Sequence, residues 1–188
     1  MKTPSGISTG TLHGVLWLTV DGRGSFQNSP ELKLLVRTGI ASGTSRMVLD
    51  LQRCSGMDST FMGMLSCVAV KLEDAGGCLH VVNAGGKNGD LLRGLGLDEV
   101  FTVEDGTELV ENGVACQAGD SSPASLKESA ENVELEAVPK LPCTRHEVTK
   151  VCLEAHEALA EIKESNEEKF RDVIHLMRQE ARAKEAVH

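Results

Sequence analysis

The run Met47-Val48-Leu49-Asp50-Leu51-Gln52-Arg53-Cys54-Ser55-Gly56-Met57-Asp58-Ser59-Thr60-Phe61-Met62-Gly63 constrains the fold more than any other stretch. Met47 to Leu51 has the length and apolar content of a buried strand. The polar and glycine residues that follow break it, and Asp58-Ser59-Thr60 opens an amphipathic segment. Phe61, Leu65, Val68 and Leu72 recur at steps of three and four, so they share one helical face. The spacing therefore predicts strand, tight loop and helix, with Asp58, Ser59 and Thr60 crowded into the first helical turn. Open α/β sheets keep their functional loops at this carboxyl end of the strands.

The flanking sequence extends the alternation. Leu12 to Val20 is β-rich and ends at the turn signal Asp21-Gly22-Arg23-Gly24. Ser29-Pro30-Glu31 supplies an N-cap, a first-turn proline and an acid ahead of Leu32, Leu35, Val36 and Ile40. A helix is expected there, stopping near Ala41-Ser42-Gly43, and another over Ser59 to Ala75, closed by Gly76-Gly77. Cys78 to Asn83 reads as a strand, Gly85-Gly86-Lys87-Asn88-Gly89 as a loop, Asp90 to Leu95 as a short helix and Glu99 to Val103 as the last strand. Such alternation implies a mainly parallel sheet with packed helices.

Met57-Asp58-Ser59-Thr60-Phe61-Met62-Gly63, in this strand and helix order, resembles the STAS domain, in particular the bacterial anti-sigma-factor antagonists. The likeness covers roughly Leu12 to Val103 and includes the Gly94-Leu95-Gly96-Leu97-Asp98 turn. By this resemblance Asp50 matches the strand-end Asp, Asp58 the motif Asp, Ser59 the serine that a partner kinase phosphorylates, and Thr60 the second hydroxyl residue. Phe61 stands where the family usually has Gly. The resemblance implies a noncatalytic regulator in the bacterial cytoplasm. Unphosphorylated, it captures an anti-sigma serine kinase and frees a sigma factor; phosphorylated on Ser59 it lets go, and a serine phosphatase resets it. Met57, Phe61, Met62 and the loop Gly85, Gly86 and Lys87 are the candidate contact surface, and no cofactor is implied.

Beyond Val103 the composition changes. The net charge of −9 is confined to this part: residues 1 to 103 carry nine basic against nine acidic side chains, residues 104 to 188 ten against nineteen. Glu104 to Pro139, with nine acids and one Lys, reads as an acidic linker, with Thr107 to Val110 as a candidate helical turn. Thr144 to about Ala186 lacks Pro and Gly and is rich in helix formers, so one long helix is expected. The resulting division is 1–112 STAS-like domain, 113–142 flexible acidic linker and 143–188 long helix. Val148, Cys152, Ala155, Leu159 and Ile162 form a heptad seam that continues through Asn166 to Val173 and Leu176. Phe170, Ile174 and Met177 offer a second register after a stutter. A coiled-coil homodimer through residues 144–186, with Asn166 facing Asn166, is the favoured use of this seam; a fold-back hairpin and docking on another protein are the alternatives.

Other chemistry finds little support. The acidic balance and an aromatic content of 3% argue against nucleic-acid binding, and no apolar run approaches the about 18 residues of a membrane span. Six cysteines without a C-x-x-C pair read as reduced thiols. Gly85 to Gly89 lacks the phosphate-loop order. A small enzyme with Ser59 or Cys54 as nucleophile has no paired base in the sequence, and His156 and His175 read as surface residues of the long helix. An assembly module that oligomerises through that helix without a phosphoswitch is the remaining alternative.

Overall fold

The computed structural model describes residues 6–12, 14–106 and 133–185. Among these residues seven strands form one sheet: β1 (Gly6–Leu12), β2 (Val15–Gly24), β3 (Arg46–Asp50), β4 (Cys54–Met57), β5 (Cys78–Val82), β6 (Thr102–Val103) and β7 (Glu136–Ala137). Their order is β6-β5-β3-β2-β1-β7, with β4 pairing the far end of β2. The pairs β2 to β3, β3 to β5 and β5 to β6 are parallel, whereas β1 runs antiparallel to both β2 and β7. The α-helices among the described residues are α1 (Ser29–Ala41), α2 (Ser59–Asp74), α3 (Lys87–Gly94), α4 (Arg145–Ile162) and α5 (Glu164–Glu185).

Side-chain alternation along the strands separates two faces. Leu16, Leu18, Val20, Met47, Leu49, Leu79 and Val81 point to the helices, sharing one core with Leu32 and Val36 of α1, Phe61, Leu65 and Leu72 of α2, and Leu92 of α3. Val15, Trp17, Val48 and Val82 form a smaller cluster on the opposite face, joined by Val133. The parallel strands β3 and β5 run through the middle of the sheet, as the sequence pattern requires.

Several expected elements take a different form. The expected first strand, Leu12 to Val20, is a hairpin, in which Leu12 faces Val15 and Gly14, at φ 73°, helps to close the turn. Asp21 to Gly24 stays in β2 because β4 supplies a partner there, with a register shift between Gly22 and Arg23. α3 starts three residues early, at Lys87, and Leu97–Glu99 is a 3-10 turn, leaving only Thr102–Val103 as strand.

The tail departs most from expectation. Of the segment taken as flexible linker, residues 133–142 are laid along the domain: β7 pairs Ser8 and Thr9 of β1, Val138 N–H donates to the Ile7 carbonyl at 2.8 Å, and Leu141 N–H donates to Glu31 Oε1 at 2.8 Å. Val133 and Val138 anchor it against the two apolar clusters. The turn expected over Thr107 to Val110 lies outside the described residues.

The single long helix expected over Thr144 to Ala186 is two helices, broken at Lys163, whose backbone is extended at φ −155° and ψ 150°. In an unbroken helix the Leu159 carbonyl would accept from the N–H of Lys163. Asn166 Nδ2 takes that place at 2.9 Å, and Asn166 also donates to the Leu95 carbonyl at 2.9 Å. Asn166 is therefore buried within one chain rather than facing its counterpart in a second. The chain then folds back: Arg145 pairs with Glu180 and Arg178 with Glu157.

Phe170 and Ile174 are buried and Leu176 is exposed, so α5 uses the register after the stutter. The apolar stripe that suggested a homodimer is buried within the chain, its α4 part against α2 and its α5 part against α4. The cysteines divide as well: Cys54, Cys67, Cys143 and Cys152 are free thiols, but Cys78 is disulfide-bonded, contrary to the expectation of reduced thiols throughout.

Candidate functional site

The site is built at the β4–α2 junction. Asp58 is the N-cap of α2: Oδ1 accepts from the Phe61 N–H at 2.9 Å, satisfying one of the free donors of the first turn. Its other oxygen accepts from the Phe26 N–H at 3.0 Å, so one carboxylate fixes both the helix start and the loop leading to α1. The Asp58 N–H donates to the Gly24 carbonyl at 3.0 Å. Ser59 is thus placed rigidly as the first residue of α2.

The Ser59 hydroxyl lies 2.9 Å from Nε2 of His156, on α4. His156 is only 4% exposed, and its Nδ1 lies 2.7 Å from the Cys152 carbonyl. A carbonyl only accepts, so Nδ1 carries a proton. In the neutral imidazole Nε2 is then an acceptor, and the Ser59 hydroxyl donates to it. The Phe170 ring meets this imidazole edge-on at 5.3 Å between centroids. A histidine oriented by a carbonyl and bonded to a serine is the arrangement of an activated nucleophile and its base. Among the described cavities, however, those of about 850, 630 and 500 Å³ are lined by residues other than Ser59 and His156.

The other expected site residues fall into two groups. Asp50 ends β3 and its Oδ1 accepts from Asn83 Nδ2 at 2.7 Å and from the Gln52 N–H at 2.8 Å, tying together the loops after β3 and β5. Gly85, Gly86 and Lys87 are exposed in the second of these loops, where Gly86 adopts φ 58° to start α3. They lie at the same carboxyl end of the parallel strands as Ser59.

Met57, Thr60, Phe61 and Met62, by contrast, are buried, so the contact surface expected from Met57, Phe61 and Met62 is not a surface in this chain. Phe61 fills the space above Gly24, where an added Cβ would come within 2.7 Å of the ring. This inward orientation is why a bulky residue fits where the family usually has Gly. Thr60 donates to Cys152 Sγ at 3.6 Å, in the interface with α4. Cys54 is buried, with its thiol directed at the Gly56 carbonyl.

His156 is the member that sequence reasoning missed. The sequence places it on the helix surface with His175; His175 is exposed, whereas His156 is buried. Its one available signal was local: four residues after Cys152, it shares a helical face with the apolar seam.

The sequence profile of the STAS domain matches residues 7–109, more than half of the chain. The chain belongs to the STAS domain family. No curated protein matches it. Among solved structures, a Thermotoga maritima protein named as a candidate anti-sigma factor antagonist shares 19% identity, covering 53% of this chain and 86% of its own, with a TM-score of 0.49. A sulfate transporter family protein from Wolinella succinogenes shares 21%, covering 52% and 81%, with a TM-score of 0.47. An anti-sigma factor antagonist from Mycobacterium paratuberculosis shares 21%, covering 57% and 92%, with a TM-score of 0.45. These likenesses are distant, and the family assignment rests on the domain match. Among the described residues no helix is long and apolar enough to cross a membrane.

Proposed function

We propose that this STAS chain is a phosphorylation-switched protein-interaction regulator of the anti-sigma-factor-antagonist type, with Ser59 as the switch. Unmodified, it binds an anti-sigma serine kinase and so frees a sigma factor; phosphorylation ends the capture and a serine phosphatase restores it. The exposed loop Gly85 to Lys87 joins the Ser59 face as contact surface, and the role is noncatalytic.

The observation that carries this reading is the placement of Ser59. Asp58 uses its own carboxylate to cap α2, so the neighbouring hydroxyl is not consumed by the helix and points from a fixed turn toward His156 of α4. A phosphate there would stand near the positive end of the α2 dipole, so the helix can carry it. Its added charge of about −1.5 to −2 would alter the face presented to a partner.

Intact-mass measurement of the full chain after incubation with ATP and a lysate of its source cells tests the assignment. One phosphate is expected, absent from Ser59→Ala. Phosphate confined to Thr60 or to Ser121 and Ser122 would defeat it.

A further inference from the structure

The face of α2 that presents Ser59 is already covered. Ser59, Gly63, Ser66, Cys67 and Val70 recur at helical spacing along one stripe, and α4 lies along it. His156 contacts Ser59, and Cys67 Sγ lies 3.9 Å from the Glu154 carbonyl. Between them a Cβ added to Gly63 would stand 2.1 Å from the Ala155 carbonyl oxygen, so the two helices touch backbone to backbone one turn from Ser59. The stripe opens most at its far end, where Val70 is 49% exposed beside a groove shared with Ala158 and Ile162, while Ser59 and Cys67 are half-buried.

We propose that the α4–α5 hairpin is an internal occupant of the partner-binding face of α2: it must lift before a kinase reaches Ser59, and it cannot re-seat once Ser59 carries phosphate. This rests on the reading of Ser59 as the switch. Exclusion follows from the contact itself. Three phosphoryl oxygens would enter the space held by His156, whose two ring nitrogens are already engaged by the Cys152 carbonyl and by Ser59 itself. They would also bring negative charge beside Asp58, next to an imidazole packed edge-on against Phe170.

The hairpin is built to lift as a unit. Its N-terminus carries its own capping box, Thr144 with Glu147, and Arg145–Glu180, Arg178–Glu157 and His156–Phe170 are all internal to it. Beside the contacts of Ser59 with His156, Thr60 with Cys152 and Cys67 with Glu154, the described polar contacts that hold it down lie at its edges. Glu154 pairs with Lys33 and Lys71, and Lys163 Nζ donates to the Gly94 carbonyl at 2.7 Å; such partly exposed pairs contribute little each. Asn166 on Leu95 and the seam of Val151, Ala155, Leu159, Phe170 and Ile174 supply the rest. An external partner of this face would have to offer what α4 offers, an amphipathic helix with small residues at its centre.

The test installs phosphoserine at position 59 of the full chain by genetic-code expansion, which needs no kinase. Amide hydrogen exchange and iodoacetamide alkylation of the buried Cys152, located by peptide mapping, are then compared with the unmodified chain. Exchange over residues 145–162 and Cys152 alkylation are expected to rise about tenfold or more, while β3 and β5 keep their protection. Unchanged protection of α4 under phosphoserine would overturn the proposal, since the phosphate would then fit beneath a seated hairpin. In a second arm Leu159→Glu, or His156→Ala should the first fail to keep β3 and β5 protected, opens the hairpin from its own side. The opened chain is expected to gain phosphate on Ser59 faster in lysate and ATP than the wild type; equal rates would overturn the gating. Absence of phosphate on Ser59 in every chain would instead remove the switch assignment, and the phosphoserine exchange pattern would still decide whether phosphate and hairpin exclude each other.

Discussion

At Gly63 two effects of opposite sign meet. Within an isolated helix Ala is better than Gly by about 1 kcal/mol. Here the new methyl would collide with the Ala155 backbone, which has no flexible end to yield. Gly63→Ala should therefore destabilise the full chain, by about 1 to 3 kcal/mol; a rise in the urea midpoint would mean that α4 does not sit on α2. Cys67 gives a second test in the same interface. Burial first, and the Glu154 carboxylate next, push its thiol from 9.0 up to about 11. The unfolded chain then ionises this thiol at lower pH than the folded chain does, so its contribution is complete below pH 9.0 and is lost as pH rises to about 11. Denaturant midpoints should fall over that window by the equivalent of about 2 kcal/mol, and Cys67→Ala should remove that component. The residues on the strand-to-helix run were legible in sequence because their neighbours are local. His156 was not, because its partner Ser59 lies 97 positions away and no periodicity links them.

Among the elements, the break at Lys163 turns on a side-chain amide. Replacing Asn166 by Leu keeps an apolar core position but leaves the Leu95 and Leu159 carbonyls without their donor. The loss should be about 2 to 3 kcal/mol in thermal or chemical unfolding, concentrated in α4 and α5 by hydrogen exchange. From sequence alone the same Asn reads as a register-setting residue between two copies, because a polar residue on a heptad seam looks identical in either setting. Helix and strand periodicity located α1, α2, β3 and β5 nearly to the residue. β4, with four residues, and β7, with two, carry no such pattern. They exist because tertiary neighbours, the end of β2 and the outer side of β1, offer unpaired backbone groups.

For the whole molecule, the stripe that would drive self-association is spent internally. Sedimentation of the full chain at micromolar concentration should give a monomer of 20.1 kDa. A stable dimer that persists in Leu159→Glu would place the contact elsewhere than on the seam. The segment 133–144 adds a different kind of consequence. It is fastened to β1 through Val138 and to α1 through Leu141, and it enters α4 directly after Thr144. A hairpin that lifts therefore swings on a tether of a few residues and never diffuses away. Its effective concentration at the α2 face is on the order of millimolar or higher. An external helix competes at its own cellular concentration, so its apparent affinity is its intrinsic affinity reduced by the fraction of chains that stand open. The fastening of residues 133–144 thus acts as a threshold setting: loosening it, for example through Glu31→Ala or a longer segment before Thr144, should tighten capture of any partner of this face without altering a single residue that the partner touches.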